Sequence, residues 1–248
     1  MRTRRHVVFL HGFLEEPDMW DPVLGYLSKR ELQLHFPKLP GHGLRPLPGE
    51  YTMDAWVSDV LSQLPFEEGE NAFFIGHSMG GYLLSRLAAL HPAMVRGLCL
   101  FHSRGGQDSE EKKANRLRAI EAAKENQALY VRGMISSLFA DAHRERLHDA
   151  IEAQIRMAKA LPLETIKASQ TVMHGRPDNI QSLRDRHYPL YYFLGEKDQA
   201  VKQEDVQEEL QSLPGHTAYI AHDCGHMAHL ENPKEAGAFI QRILRADG

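Results

Sequence analysis

Short runs of consecutive apolar residues alternate along the chain with stretches whose apolar positions recur every three to four residues. A continuous short run reads as a strand covered on both faces, and the longer period as a helix with one covered face. On that basis residues 6–10 form a strand, 20–27 a helix and 32–36 a second strand. Residues 52–64 put Trp56, Val57, Val60, Leu61 and Leu64 on one helical face. A strand at 71–75, a helix at 78–91 ended by Pro92, and a strand at 97–101 continue the rhythm. From 106 to 187 no strand pattern occurs, while Leu117, Ile120, Met134, Leu138, Leu147, Ile151, Ile155 and Ala158 keep helical spacing. A strand at 190–194, a helix at 204–213, a strand at 217–221 and a helix at 233–246 then resume the alternation. Six strands separated by crossover-length connections predict an α/β fold, a parallel sheet with helices on both faces. The core is expected to comprise residues 1–105 and 188–248, interrupted by a helical lid over 106–187. Internal repeats and low-complexity tracts are absent from the sequence.

Composition narrows the classes of function. The 248 residues carry 29 Lys and Arg against 33 Asp and Glu, a formal charge of −4, and offer no basic field for nucleic acid. No stretch nears the roughly 18 consecutive apolar residues of a membrane span. The basic start Met1-Arg2-Thr3-Arg4-Arg5 resembles the front of a signal peptide, but the apolar run stops at His11-Gly12 and no small-residue cleavage site follows. A cytoplasmic protein is expected. Cys99 and Cys224 read as reduced core thiols. His222, His226 and His229 lack a strong zinc spacing, so no metal is expected. The 106–187 segment has fourteen basic and twelve acidic residues. Its slight positive excess suits either a solvated helix surface or an anionic substrate.

The chemistry is concentrated at strand ends. Gly76-His77-Ser78-Met79-Gly80 lies between a buried strand and a helix, the context that gives Gly-x-Ser-x-Gly its meaning. A serine in such a turn is strained, and Gly76 and Gly80 allow the chain to fold back closely. The helix start also favours developing negative charge. Serine needs a base and an orienting carboxylate. Asp198 follows the strand at 190–194 and is the candidate acid, with Glu196 the solvated competitor. His226 follows the strand at 217–221 and is the candidate base, with His222 and His229 read as structural.

The order Ser78, Asp198, His226 resembles the α/β-hydrolase family, as do His11-Gly12-Phe13-Leu14, Leu39-Pro40-Gly41-His42-Gly43, and Gly225-His226 ahead of His229-Leu230-Glu231-Asn232-Pro233. The resemblance spans nearly all of the chain outside 106–187. It implies an α/β-hydrolase fold and an oxyanion hole from the backbone amides of Phe13 and Met79, with His11 and Gly12 shaping the turn. Family members commonly carry two further strands before the His-Gly turn; ten residues precede His11 here, so those strands, including the usual antiparallel one, are expected to be missing.

The implied activity is that of a serine carboxylesterase acting on a small-molecule ester, thioester or lactone, with no cofactor and no nucleic-acid or membrane partner. Ser78 argues against epoxide-hydrolase-like or dehalogenase-like chemistry, whose members place aspartate there. His11-Gly12-Phe13-Leu14 and Trp20-Asp21-Pro22-Val23 also resemble the menaquinone-pathway synthase branch, a lyase with the same triad, although that branch usually has an arginine where this chain has Tyr82. A third reading is a small-molecule receptor that retains the triad without turnover.

Overall fold

The computed structural model describes residues 4–247; Met1, Arg2 and Thr3 of the basic start and Gly248 lie outside the described residues. Six strands are present: β1 (Arg5–Leu10), β2 (Leu32–His35), β3 (Ala72–His77), β4 (Val95–Phe101), β5 (Leu190–Gly195) and β6 (His216–Ala221). They form one sheet in the order β2-β1-β3-β4-β5-β6, and every neighbouring pair is parallel. The strand pleat sends Val8, Leu10, Phe74, Leu98, Leu100 and Tyr192 into one apolar layer and Val7, Phe9, Phe73, Ile75, Phe101 and Phe193 into the other. Both layers are buried, which is why the central strands read as unbroken apolar runs. Among the described residues the sheet has no antiparallel strand.

The elements follow the expected alternation, with several bounds shifted: the helix expected over 52–64 ends at Leu61, and β4 begins at Val95 rather than 97. The helix expected over 20–27 is reduced to a 3-10 turn, Pro17–Trp20, and a single α-turn, α1 (Asp21–Leu24). Pro17 and Pro22 supply no N–H to an extended helix, and Gly25 closes α1. α2 (Met53–Leu61) starts where Thr52 accepts a bond from the Ala55 N–H, and α3 (Met79–Leu90) follows β3 directly. Between β4 and β5 lie α4 (Glu110–Ser137), α5 (Asp141–Arg144), α6 (His148–Lys159), α7 (Leu163–His174) and α8 (Ile180–Arg184). α4 is broken at Asn126, whose extended backbone interrupts the helix and whose side chain caps the second half through the Leu129 N–H. α9 (Gln203–Ser212) joins β5 to β6, and α10 (Ala228–Glu231) and α11 (Pro233–Ala246) complete the chain. Likewise β3 runs past the expected end at residue 75 through Gly76 and His77, pairing Gly76 with Leu10 and Leu100. No helix is long and apolar enough to cross a membrane among the described residues.

Candidate active site

The turn from β3 into α3 holds Ser78 at φ 49°, ψ −116°, a conformation strained for a residue with a side chain. Hydrogen bonds fix it from outside: the Ser78 N–H donates to the Phe101 carbonyl at 2.9 Å, and the Ser78 carbonyl accepts from Ser103 Oγ at 2.7 Å. The flanking glycines are required by contact. A Cβ on Gly76 would lie 2.7 Å from Gly80 and Gly81 backbone atoms, and one on Gly80 would press into the carbonyls of Leu10 and His11. Ser78 is the half-buried residue of this turn and borders a cavity of about 240 Å³.

His226 borders the same cavity. Its Nδ1 donates to Asp198 Oδ2 at 2.8 Å, while Asp198 Oδ1 accepts the N–H groups of Ala200 and Val201 at 2.8 and 2.9 Å. Burial by itself would raise the Asp198 carboxyl, but the charge of His226 and the bonds from His102 and His226 outweigh it and hold the group far below the usual carboxylate range. Asp198 and His226 are thus brought together, and Ser78 borders the same cavity as His226, with Asp198 buried behind the ring. No hydrogen bond joins Ser78 Oγ to the His226 ring among the described residues. The base loop is anchored on the helical segment, because the His226 N–H donates to the Leu138 carbonyl at 2.7 Å. Glu231 adds a second tie by accepting from the N–H groups of Gly225 and Ala140, both at 2.7 Å.

Phe13 also borders the cavity, whereas the Met79 side chain is in the core and only its backbone, first in α3, adjoins Ser78. His11 shapes the turn as expected: its Nε2 accepts the Leu39 N–H at 3.0 Å, which requires Nδ1 to carry the proton toward the Gly12 carbonyl at 3.0 Å. Burial and the neighbouring His42 push His11 down to about 3, so it is a neutral spacer. Gly12 donates its N–H to Glu15 Oε2 at 2.7 Å, and a Cβ there would lie 2.5 Å from the same oxygen.

Three residues at this edge have no counterpart among the sequence candidates. Glu15 is buried and pairs with His77 Nδ1 at 2.7 Å, and His77 Nε2 lies 3.0 Å from the His226 carbonyl. His102, at the end of β4, places Nδ1 2.9 Å from Asp198 Oδ2. Its position after a strand, at the same edge as the three candidates, was the available signal. Of the alternatives considered, Glu196 is half-buried and binds His222 at 2.7 Å and the Asp223 N–H at 3.0 Å, a surface clasp. His229 is fully buried with its Nε2 3.8 Å from Glu15 Oε1. His222, His226 and His229 fall in three separate clusters of possible ligands, so the sequence trio does not converge. Cys99 and Cys224 are both free and buried.

The far walls of the cavity come from α3, α4 and α7. Ala119, Met134, Leu138 and Met173 are apolar, while Lys112, Asn115, Arg116, Tyr130 and Gln170 form a polar end. Arg116 Nε donates to Asp108 at 2.9 Å, and Arg176 reaches the other oxygen of Asp108 at 3.0 Å. Arg176 also lies over the Tyr82 ring at 3.8 Å, so a guanidinium is stacked on the residue that follows the paired glycines of the elbow.

Comparison with known proteins agrees with this architecture. Over 96% of its length the chain is 28% identical to 2-succinyl-6-hydroxy-2,4-cyclohexadiene-1-carboxylate synthase of Klebsiella pneumoniae (strain 342), covering 93% of that protein. A shorter match, 35% identical over 38% of the chain and 34% of the relative, is to the pimeloyl-[acyl-carrier protein] methyl ester esterase of Shewanella woodyi. Among solved structures, a thermophilic esterase from Thermogutta terrifontis with malate bound superposes with a TM-score of 0.88 at 27% identity, covering 99% of this chain and 91% of that one. The model of the alpha/beta hydrolase family matches residues 7–238, and with the parallel sheet and the serine elbow this places the chain in that family.

Proposed function

We propose that the protein is a serine hydrolase that cleaves a carboxylic ester, thioester or lactone of a small molecule through an acyl-enzyme on Ser78. The observation that carries this reading is the strained Ser78 facing the same cavity as a His226 oriented by a buried, fully hydrogen-bonded Asp198. His226 takes the Ser78 proton as Oγ attacks the carbonyl carbon, Asp198 stabilises the imidazolium, and the amides of Phe13 and Met79 receive the oxyanion. Protonated His226 then gives its proton to the leaving group, and a water activated by the same ring releases the acid. The Oγ to Nε2 contact is of the kind that tightens in a substrate complex. The 106–187 segment acts as a lid whose Met134, Leu138 and Met173 cover the apolar part of the substrate, with the polar end at Arg116 suiting an oxygen-rich tail. A reducing, cytoplasmic setting fits the free thiols.

The second reading, a lyase that uses the same three residues, is favoured by the full-length likeness to the carboxylate synthase. Tyr82 in place of the arginine usual in that branch weighs against it. Wild type and Ser78→Ala are to be compared on p-nitrophenyl acetate, a thioester, a lactone panel and the synthase substrate. Sustained ester turnover that falls at least about a thousandfold in Ser78→Ala, with an unchanged circular dichroism spectrum, is expected. Ester cleavage retained by the variant overturns the role of Ser78, and turnover of the synthase substrate alone selects the lyase.

A further inference from the structure

Asp198 Oδ2 accepts two imidazoles at once, His226 at 2.8 Å and His102 at 2.9 Å, each through Nδ1. With Oδ1 already taken by two backbone N–H groups, the carboxylate has a donor for each of its roughly four acceptor sites. His102 is fully buried, and its Nε2 has no partner, which identifies the proton-bearing nitrogen as Nδ1. We propose that His102 is a positioning residue: it shares Asp198 with His226 and thereby sets how firmly His226 holds the proton it shuttles. The proposal rests on the serine-triad reading above.

The two histidines are not equivalent. His226 opens onto the cavity, whereas His102 is sealed between Phe101 and Phe193, with ring centroids 5.0 and 5.6 Å away. Burial, only partly offset by Asp198, pushes His102 down to about 4, so at neutral pH it contributes an N–H dipole and no charge. A neutral donor draws electron density from Oδ2 and weakens that oxygen's pull on the His226 proton. The groups facing this pair are His77, 4.8 Å from the His226 ring and 5.9 Å from the His102 ring, and His229 on α10. Lys112 and Arg116 share the cavity with His226. None of these touches Oδ2, so His102 is the group whose removal changes the carboxylate directly.

The backbone shows how the arrangement is held. His102 has φ 49°, in the left-handed region, and its N–H donates to the Phe193 carbonyl at 2.7 Å. That turn at the end of β4 delivers the ring to Asp198. Asparagine enters the left-handed region more readily than most residues, and its Nδ2, like Nδ1 of histidine, is one bond from Cγ. His102→Asn therefore keeps a donor at Oδ2, and His102→Leu removes it.

Two measurements test this. The first, independent of substrate, is the titration of the His226 ring by NMR in histidine-15N-labelled wild type, His102→Asn and His102→Leu. The second is kcat/KM against pH on p-nitrophenyl acetate. Removal of the donor should raise the His226 midpoint and the acid limb by about 0.5–1 pH unit in His102→Leu, with His102→Asn staying close to wild type. If leucine prevents folding, His102→Ala carries the same expectation. An unmoved midpoint in the donor-less variant, or an equal shift in His102→Asn, overturns the proposal. Failure of the triad reading is seen separately, as turnover retained by Ser78→Ala, and leaves the NMR result intact.

Discussion

Glu15 and His77 form an ion pair with both side chains 1% exposed, and His77 immediately precedes Ser78. The two His77 nitrogens face a carboxylate and a carbonyl, so the ring donates from both only as an imidazolium. Burial would raise the Glu15 carboxyl, but the His77 charge and hydrogen bond, His229 and the Gly12 N–H lower it from 4.5 to about 2. The pair joins the Gly12 turn, the elbow and the His226 carbonyl. Removing one partner strands a buried cation, so Glu15→Ala should lower the unfolding free energy at pH 7 by about 3–5 kcal/mol in urea denaturation. Because the folded carboxyl is depressed, its contribution is present above 4.5 and is lost as the pH falls toward about 2; the gap between wild type and variant should close over that window. Such residues were illegible in the sequence for a physical reason. Glu15 and His77 are 62 positions apart, His102 and Asp198 are 96 apart, and no period along the chain reports a pairing of that kind. Ser78, Asp198 and His226 could be nominated from the sequence because each lies in the turn or loop after a strand, a position that the local apolar pattern marks.

At the level of elements, the elbow shows how little room the backbone leaves. Gly80 abuts the carbonyls of Leu10 and His11 on β1 and the loop after it, neither of which can move without breaking the sheet edge. Gly80→Ala should cost about 2–4 kcal/mol of stability, read as a lower thermal midpoint, and under the proposed mechanism should reduce turnover by displacing the Met79 amide. Overlapping melting curves for variant and wild type would contradict the close approach. The strands and the long terminal helix α11 were readable because their apolar patterns are uninterrupted; α11 has the expected bounds, 233–246. The region around Trp20 misleads because its apolar spacing is helical while Pro17 and Pro22 break the hydrogen-bond ladder. The break in α4 at Asn126 is likewise set by a side chain that caps from within a polar stretch, where periodicity carries no signal.

For the molecule as a whole, the layered sheet was legible because apolar runs separated by crossover-length segments admit few arrangements. The way α4 and α7 close over the cavity was not, since helical spacing gives a covered face without naming what covers it. The register of β4 on β5 has a consequence in time. Pairing Leu98 with Leu190 closes a loop of roughly ninety residues, an entropic delay that shorter neighbouring connections do not impose. Asp198 is carried by β5, and His226 lies beyond β6, which pairs only with β5. During refolding from urea, far-UV ellipticity from the local helices should therefore recover before the proposed hydrolase activity, whose return waits on that late docking. Simultaneous recovery of both signals would mean that the central strands meet before the intervening helices form.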